Sequence, residues 1–182
     1  MLKTILMDVL NSGLFGEIKR RTAYLKENAP DAELKLVKIS NVPKNSVLLG
    51  LDKVKSNTLF QKGRGQNMRC DYLLISDGMA YFMELKTSSK SEERYKEDCI
   101  KKFKAVECLT DYIDSVMMTF YNKEKLFSIL EKRYILIYKA PSINKTTTSQ
   151  KPIEKPIHDK PETMLFCPVE KNECEVDLFI LG

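Results

Sequence analysis

Apolar residues recur at helical spacing over residues 2–28: Leu2, Ile5, Leu6, Val9 and Leu10, then Leu14, Ile18 and Leu25 beyond a weak point at Ser12 and Gly13. That period predicts an amphipathic helix, closed at Pro30 because the residue before a proline avoids the helical region. Residues 33–39 alternate loosely and suit a strand, and residues 47–51 suit a second short strand or a helical turn. The polar stretch 53–69, with Lys62, Gly63, Arg64 and Gly65 at its centre, reads as a basic loop. It lacks the GxxxxGKS/T pattern of a phosphate-binding P-loop.

Residues 69–86 are the most informative segment. Two apolar and aromatic runs flank Asp77 and Gly78, and an Asp-Gly pair in that setting is a strong hairpin signal. Helical patterning follows over residues 92–119 and again over 123–131, with a break at Phe120, Tyr121 and Asn122. Residues 134–138 form a short apolar run of the type buried inside a sheet. Composition then shifts to Pro, Lys, Thr and Ser over 141–163, a connector with Pro141, Pro152, Pro156 and Pro161. Residues 164–182 suggest a last strand or hairpin closing on the sheet edge. Helix, strands, hairpin, helical region and strand in that order predict an α/β or α+β domain with a central mixed sheet. Its core spans 1–140.

Length and composition fit this picture. A chain of 182 residues, 43% hydrophobic and 30% charged, makes one globular domain with a real core. A net charge of +5 permits a polyanionic partner without demanding one. Cys70, Cys99, Cys108, Cys167 and Cys174 are scattered and odd in number, with no CxxC pair. Together with a single histidine, His158, expected at the surface, they exclude a conventional Cys/His zinc site. Reduced thiols in a cytoplasmic protein account for them. No apolar window is long enough to span a bilayer, and no secretory leader is evident, so the chain reads as soluble.

The chemistry lies in the hairpin. With Asp77 and Gly78 as turn residues, Ser76 faces Met79, and the same register sets Asp71 opposite Glu84. Side chains paired in this way have Cβ atoms roughly 4.5–5.5 Å apart on one face, and Lys86, two residues beyond Glu84, points to that face too. Two facing carboxylates repel unless a positive charge lies between them. A divalent cation with oxygen ligands meets that need, with the lysine beside it to hold a water or neutralise developing phosphoryl charge. Lys86 alone, bridging both acids as a structural ion trio, meets it as well. Both accounts stand on the residues alone.

Asp71 followed by Glu84, Leu85 and Lys86 resembles the D…ExK signature of the PD-(D/E)XK nuclease superfamily. The resemblance covers roughly residues 10–140 and implies a restriction-endonuclease-like α-β-β-β-α-β core with a central mixed sheet flanked by helices. It further implies that Asp71 and Glu84 are metal ligands for Mg²⁺ or Mn²⁺, with the Leu85 carbonyl as a third, and that Lys86 is the catalytic lysine. An acidic residue on the first helix often joins such sites, and Glu17 is the candidate; the alternative is an exposed pair with Arg21. Cys70 stands where the name-giving proline would be, and the Gln-xxx-Tyr element of the exonuclease branch is absent after Lys86.

The implied activity is metal-dependent phosphodiester hydrolysis, on DNA rather than RNA. Arg64, Arg69, Lys90, Lys101, Lys102 and Lys104 are candidates for phosphate contact around the site; Lys96 belongs to the same basic run. The rival reading is a nuclease-like fold serving as a nucleic-acid-binding or protein-interaction subunit with a vestigial site, as in a restriction or phage-defence system. A homodimer or a partner subunit would suit either reading.

Overall fold

Asp77 and Gly78 take positive φ, 46° and 79°, and close the two-residue turn that their sequence favours. The computed structural model describes residues 2–27, 29–30, 32–54, 64–86, 92–140 and 157–182. Its helices are α1 (Leu2–Val9), α2 (Glu92–Tyr121) and α3 (Leu178–Leu181). Its strands are β1 (Glu17–Lys19), β2 (Thr22–Lys26), β3 (Leu36–Ser40), β4 (Val47–Gly50), β5 (Tyr72–Ser76), β6 (Met79–Lys86), β7 (Glu131–Lys139), β8 (Leu165–Val169) and β9 (Glu173–Asp177). The protein is mixed α/β, with two mixed sheets.

The larger sheet runs β4-β5-β6-β7-β8. Its first three strands are antiparallel, while β7 and β8 join parallel to β6. Parallel neighbours need a long crossover, and α2 supplies it between β6 and β7. The second sheet runs β1-β2-β3-β9, antiparallel except where β9 lies parallel to β3.

Strand alternation sorts the side chains of the five-stranded sheet between two cores. Leu73, Ile75, Ala80, Phe82, Tyr134 and Leu136 face the helices, packing with Leu6 of α1 and with Tyr95, Cys99, Phe103, Val106 and Met117 of α2. Tyr95, Cys99, Phe103 and Val106 recur every three or four residues and Met117 lies three turns further on the same side, the stripe a helix needs to lie on a sheet. Leu74, Tyr81, Met83, Leu85, Ile135 and Ile137 face the other way, against Ala23, Leu25, Val37, Ile39 and Val176 of the second sheet. The helices α1 and α2 therefore cover one face, and the second sheet with the four-residue α3 (Leu178 and Leu181) covers the other, where flanking helices were expected on both.

Four further expectations are corrected. Residues 2–28 are not one helix: α1 stops at Val9, and a 3₁₀ turn over Ser12–Leu14 follows, with the Asn11 side chain accepting the Gly13 N–H at 2.8 Å. Beyond it Ile18, Ala23 and Leu25 lie in a hairpin turned by Arg20 and Arg21 at φ 48° and 63°. Residues 123–131 hold only a 3₁₀ turn, Phe127–Ile129. There the Asp114 carboxylate accepts the N–H groups of Leu126, Phe127 and Ser128. The C-terminal strands form no hairpin with each other, because β8 joins β7 while β9 crosses to β3. His158 is buried, its Nε2 donating to the Leu181 carbonyl at 2.7 Å while its own carbonyl accepts the Tyr134 N–H.

The strand preceding the hairpin in the larger sheet is thus β4, and the expected strand at 33–39 belongs to the second sheet as β3. Most of the Pro-rich connector, residues 141–156, lies outside the described residues. Among the described residues no helix is long and apolar enough to cross a membrane.

Candidate active site

Asp71 sits one residue before β5, and two neighbours hold it. Its carbonyl accepts the Leu51 N–H at 2.8 Å, prolonging the β4 edge, and its Oδ2 accepts the Leu85 N–H at 2.7 Å. The hairpin ladder runs in the register read from the turn, from Ser76–Met79 to Tyr72–Met83. The next step along it is Asp71 against Glu84. Alternation from Phe82 puts Glu84 and Lys86 on the face that α2 covers, and alternation from Leu73 puts Asp71 there as well.

Glu84 is 1% exposed. Its Oε1 receives two ammonium groups, Lys86 Nζ at 2.8 Å and Lys102 Nζ at 2.5 Å, while its Oε2 is buried without a hydrogen-bond partner. Lys86 also reaches Asp98 Oδ2 at 3.4 Å, and its Nζ lies 5.9 Å from the centre of the Tyr95 ring. Tyr95, Asp98, Cys99 and Lys102 come from successive turns of α2, so the helix closes the site from above.

This placement sets the protonation of the groups. Burial pushes the Asp71 carboxyl up to about 7, with the Glu84 charge adding to it and the Leu85 N–H, Lys102 and Lys86 opposing it. Burial acts to lower the Lys86 pKa, but the Glu84 charge and hydrogen bond outweigh it, so the amine is held above its ordinary value and stays an ammonium. Burial pushes the Cys99 thiol up to about 12 and the Cys70 thiol well above its usual range, with Glu84 contributing to both. These thiols are inert packing groups.

The residues fit a divalent cation on two observations. One carboxylate oxygen of the pair is orphaned in the interior, and the second acid is driven toward its neutral form, by burial first and by the Glu84 charge second. Leu85 faces Asp71 with its N–H, and in a strand the N–H and C=O of one residue lie on the same edge. Its carbonyl is therefore on the Asp71 side. Among the described residues no three Asp, Glu, His or Cys side chains gather as a ready metal cluster.

The other sequence candidates separate. Glu17 lies on β1, not on a helix, and its carboxylate is engaged by Lys19 and, at 3.0 Å, by Lys26; neither the Asp71 site nor the expected pair with Arg21 claims it. Arg69 is half-buried and spends NH1 on the carbonyls of Gln66 and Met68, bracing its own loop. Arg64 and Lys101 are exposed, and Gly65, the residue after Arg64, lies against Lys101, where an added Cβ would meet Lys101 Cβ at 3.0 Å. Lys104 pairs with Glu162 at 2.6 Å. Lys90 lies outside the described residues. Lys102, expected only as a phosphate contact, is a partner of Glu84, and Asp98 was not anticipated at all. Asp98 and Lys102 stand one turn apart beside the apolar stripe Tyr95, Cys99, Phe103, a position that says nothing of a carboxylate facing them from β6. Compared with protein-family models, with curated proteins and with solved structures, the chain matches none.

Proposed function

We propose that this protein is a metal-dependent nuclease of the D…ExK type, hydrolysing phosphodiester bonds in nucleic acid, with DNA the preferred substrate. The observation that carries the reading is the convergence of Asp71, Glu84 and Lys86 on one covered face, with Glu84 Oε2 buried and unpartnered. The order β4, β5, β6, α2, β7 supports it, following the β-β-β-α-β part of a restriction-endonuclease-like core, with β1, β2 and β3 of the second sheet standing between α1 and β4. Asp71, Glu84 and the Leu85 carbonyl would hold Mg²⁺ or Mn²⁺. The ion would supply charge for a non-bridging phosphate oxygen and acidify a bound water.

The protein's own groups do the rest. Lys86 remains an ammonium beside Glu84, so it serves as a fixed positive charge that orients the attacking water and stabilises charge building on the phosphoryl oxygens, and not as the base. Asp98 and the Tyr95 ring fix the direction of its Nζ. Arg64 and Lys101 offer exposed cations for flanking phosphates.

A second reading is favoured by one observation: two ammonium groups already neutralise Glu84. A nucleic-acid-binding or partner-dependent subunit with a vestigial site, or a purely structural ion cluster, would look like this.

Cleavage assays separate the readings. Linear, circular and branched DNA, single-stranded DNA and RNA are incubated with the protein in Mg²⁺, in Mn²⁺ and in EDTA. The nuclease reading expects cation-dependent cleavage that Lys86→Ala lowers by roughly two to three orders of magnitude without loss of fold or metal. Asp71→Asn and Glu84→Gln should lose both metal and activity. A wild-type protein that binds DNA but cuts no substrate would support the binding subunit instead.

A further inference from the structure

Lys102 holds the oxygen of Glu84 beside the one that is buried without a partner. Its ammonium lies 2.5 Å from Glu84 Oε1, and it reaches that oxygen from α2, on a long stem with only 18% of the side chain exposed. Lys86 shares the same oxygen but is tied down separately by Asp98 and by the Tyr95 ring. Among the described residues, Lys102 donates to Glu84. A divalent ion seated against Asp71 and Glu84 would stand beside two ammonium groups, and Lys102 is the one with least to hold it.

We infer that Lys102 is a cationic placeholder: it neutralises Glu84 in the metal-free protein, is displaced when a divalent cation binds, and then pairs with a phosphate oxygen of the substrate. The inference rests on the metal-dependent reading of this site and adds a built-in coupling between metal entry and phosphate capture. Lys102 is thereby a second substrate-facing cation, from the helix, alongside Lys86 from the sheet. The displaced ammonium stays on its stem at the mouth of the site, near Lys101 one residue earlier, so the metal-loaded protein has a stronger anion-binding surface than the metal-free one.

Two measurements test it. The first uses the wild-type protein and acetylation by an amine-reactive ester, read residue by residue by mass spectrometry. Lys102 should label slowly in EDTA, several-fold faster in Mg²⁺, and slowly again when a non-cleavable phosphorothioate dinucleotide is added with Mg²⁺. Lys125, exposed and remote, should label at one rate throughout. The second is calorimetric titration with Mn²⁺ alone. Lys102→Met keeps most of the stem and removes the charge, so it should bind Mn²⁺ about tenfold more tightly than the wild type, while Lys125→Met should not differ. Binding seen only in Lys102→Met would also support the placeholder. Mn²⁺ bound equally by both proteins, with Lys102 labelling unchanged by Mg²⁺, would overturn the inference and leave the metal-dependent site standing. Mn²⁺ bound by neither would overturn both.

Discussion

The two oxygens of Glu84 have opposite surroundings, one between two ammonium groups and one buried with nothing to accept from. Beside it Asp71 carries the consequence, a carboxyl pushed up to about 7 by burial and by the Glu84 charge. In the unfolded chain an aspartate titrates near 3.9, so from about pH 4 to 7 the folded protein binds a proton that the unfolded chain does not. Stability of the metal-free protein must then fall as pH rises across that window and level off above it. Denaturant melts in EDTA at pH 5 and pH 8 should show this loss for the wild type and not for Asp71→Asn, which is neutral throughout. Equal pH dependence in the two proteins would remove Asp71 from the buried pair. At this scale the sequence was informative where spacing meets a known turn: Asp71, Glu84 and Lys86 share a face because the Asp-Gly turn fixes register. Glu17 was misplaced because its strand was read as helix. Lys102 was placed in the right neighbourhood with the wrong partner, since a lysine beside an apolar helix stripe gives no hint of a carboxylate facing it from another element.

Elements were legible in proportion to how local their causes are. The hairpin of β5 and β6, the long helix α2 and the buried strand β7 follow from turn chemistry and period. The β1–β2 hairpin was hidden because its turn residues, Arg20 and Arg21, are not the Asn-Gly or Asp-Gly pair that marks such turns. The 3₁₀ turn Phe127–Ile129 depends on Asp114, fourteen residues before Ser128. Burial alone would raise the Asp114 pKa, and its three backbone N–H donors outweigh that and hold it below the ordinary carboxylate value. The stability it contributes is present above about pH 4 and is lost as pH falls through its folded pKa. Asp114→Ala leaves three N–H groups without their acceptor, and should cost about 1–3 kcal/mol while leaving the Glu84 cluster in place. Chemical denaturation at pH 7 measures the cost, and a change below a few tenths would show that the turn supports itself.

At the scale of the whole molecule, helices, a five-stranded sheet and a four-stranded sheet form three layers. The second sheet was not legible, because β3 and β9 meet across most of the chain and no local pattern announces a parallel partner so remote. The two sheets are joined where the chain passes over β4: Gly16 N–H donates to the Leu48 carbonyl at 2.8 Å, and a Cβ on Gly16 would lie 2.6 Å from Leu48 Cδ2. Leu48 is fully buried and has little room to yield. Gly16→Ala should therefore destabilise the protein by about 1–3 kcal/mol, measured by thermal and denaturant melts. No loss would mean that the joint is looser than its contacts indicate.

The central claim is that a divalent cation belongs between the hairpin acids, and a crystal soaked in Mn²⁺ at pH 8 tests it most directly. The account predicts one anomalous peak in contact with both Asp71 and Glu84, with the Lys102 ammonium withdrawn from Glu84. A map with no peak there, and with both lysines still on Glu84 at saturating Mn²⁺, would contradict it.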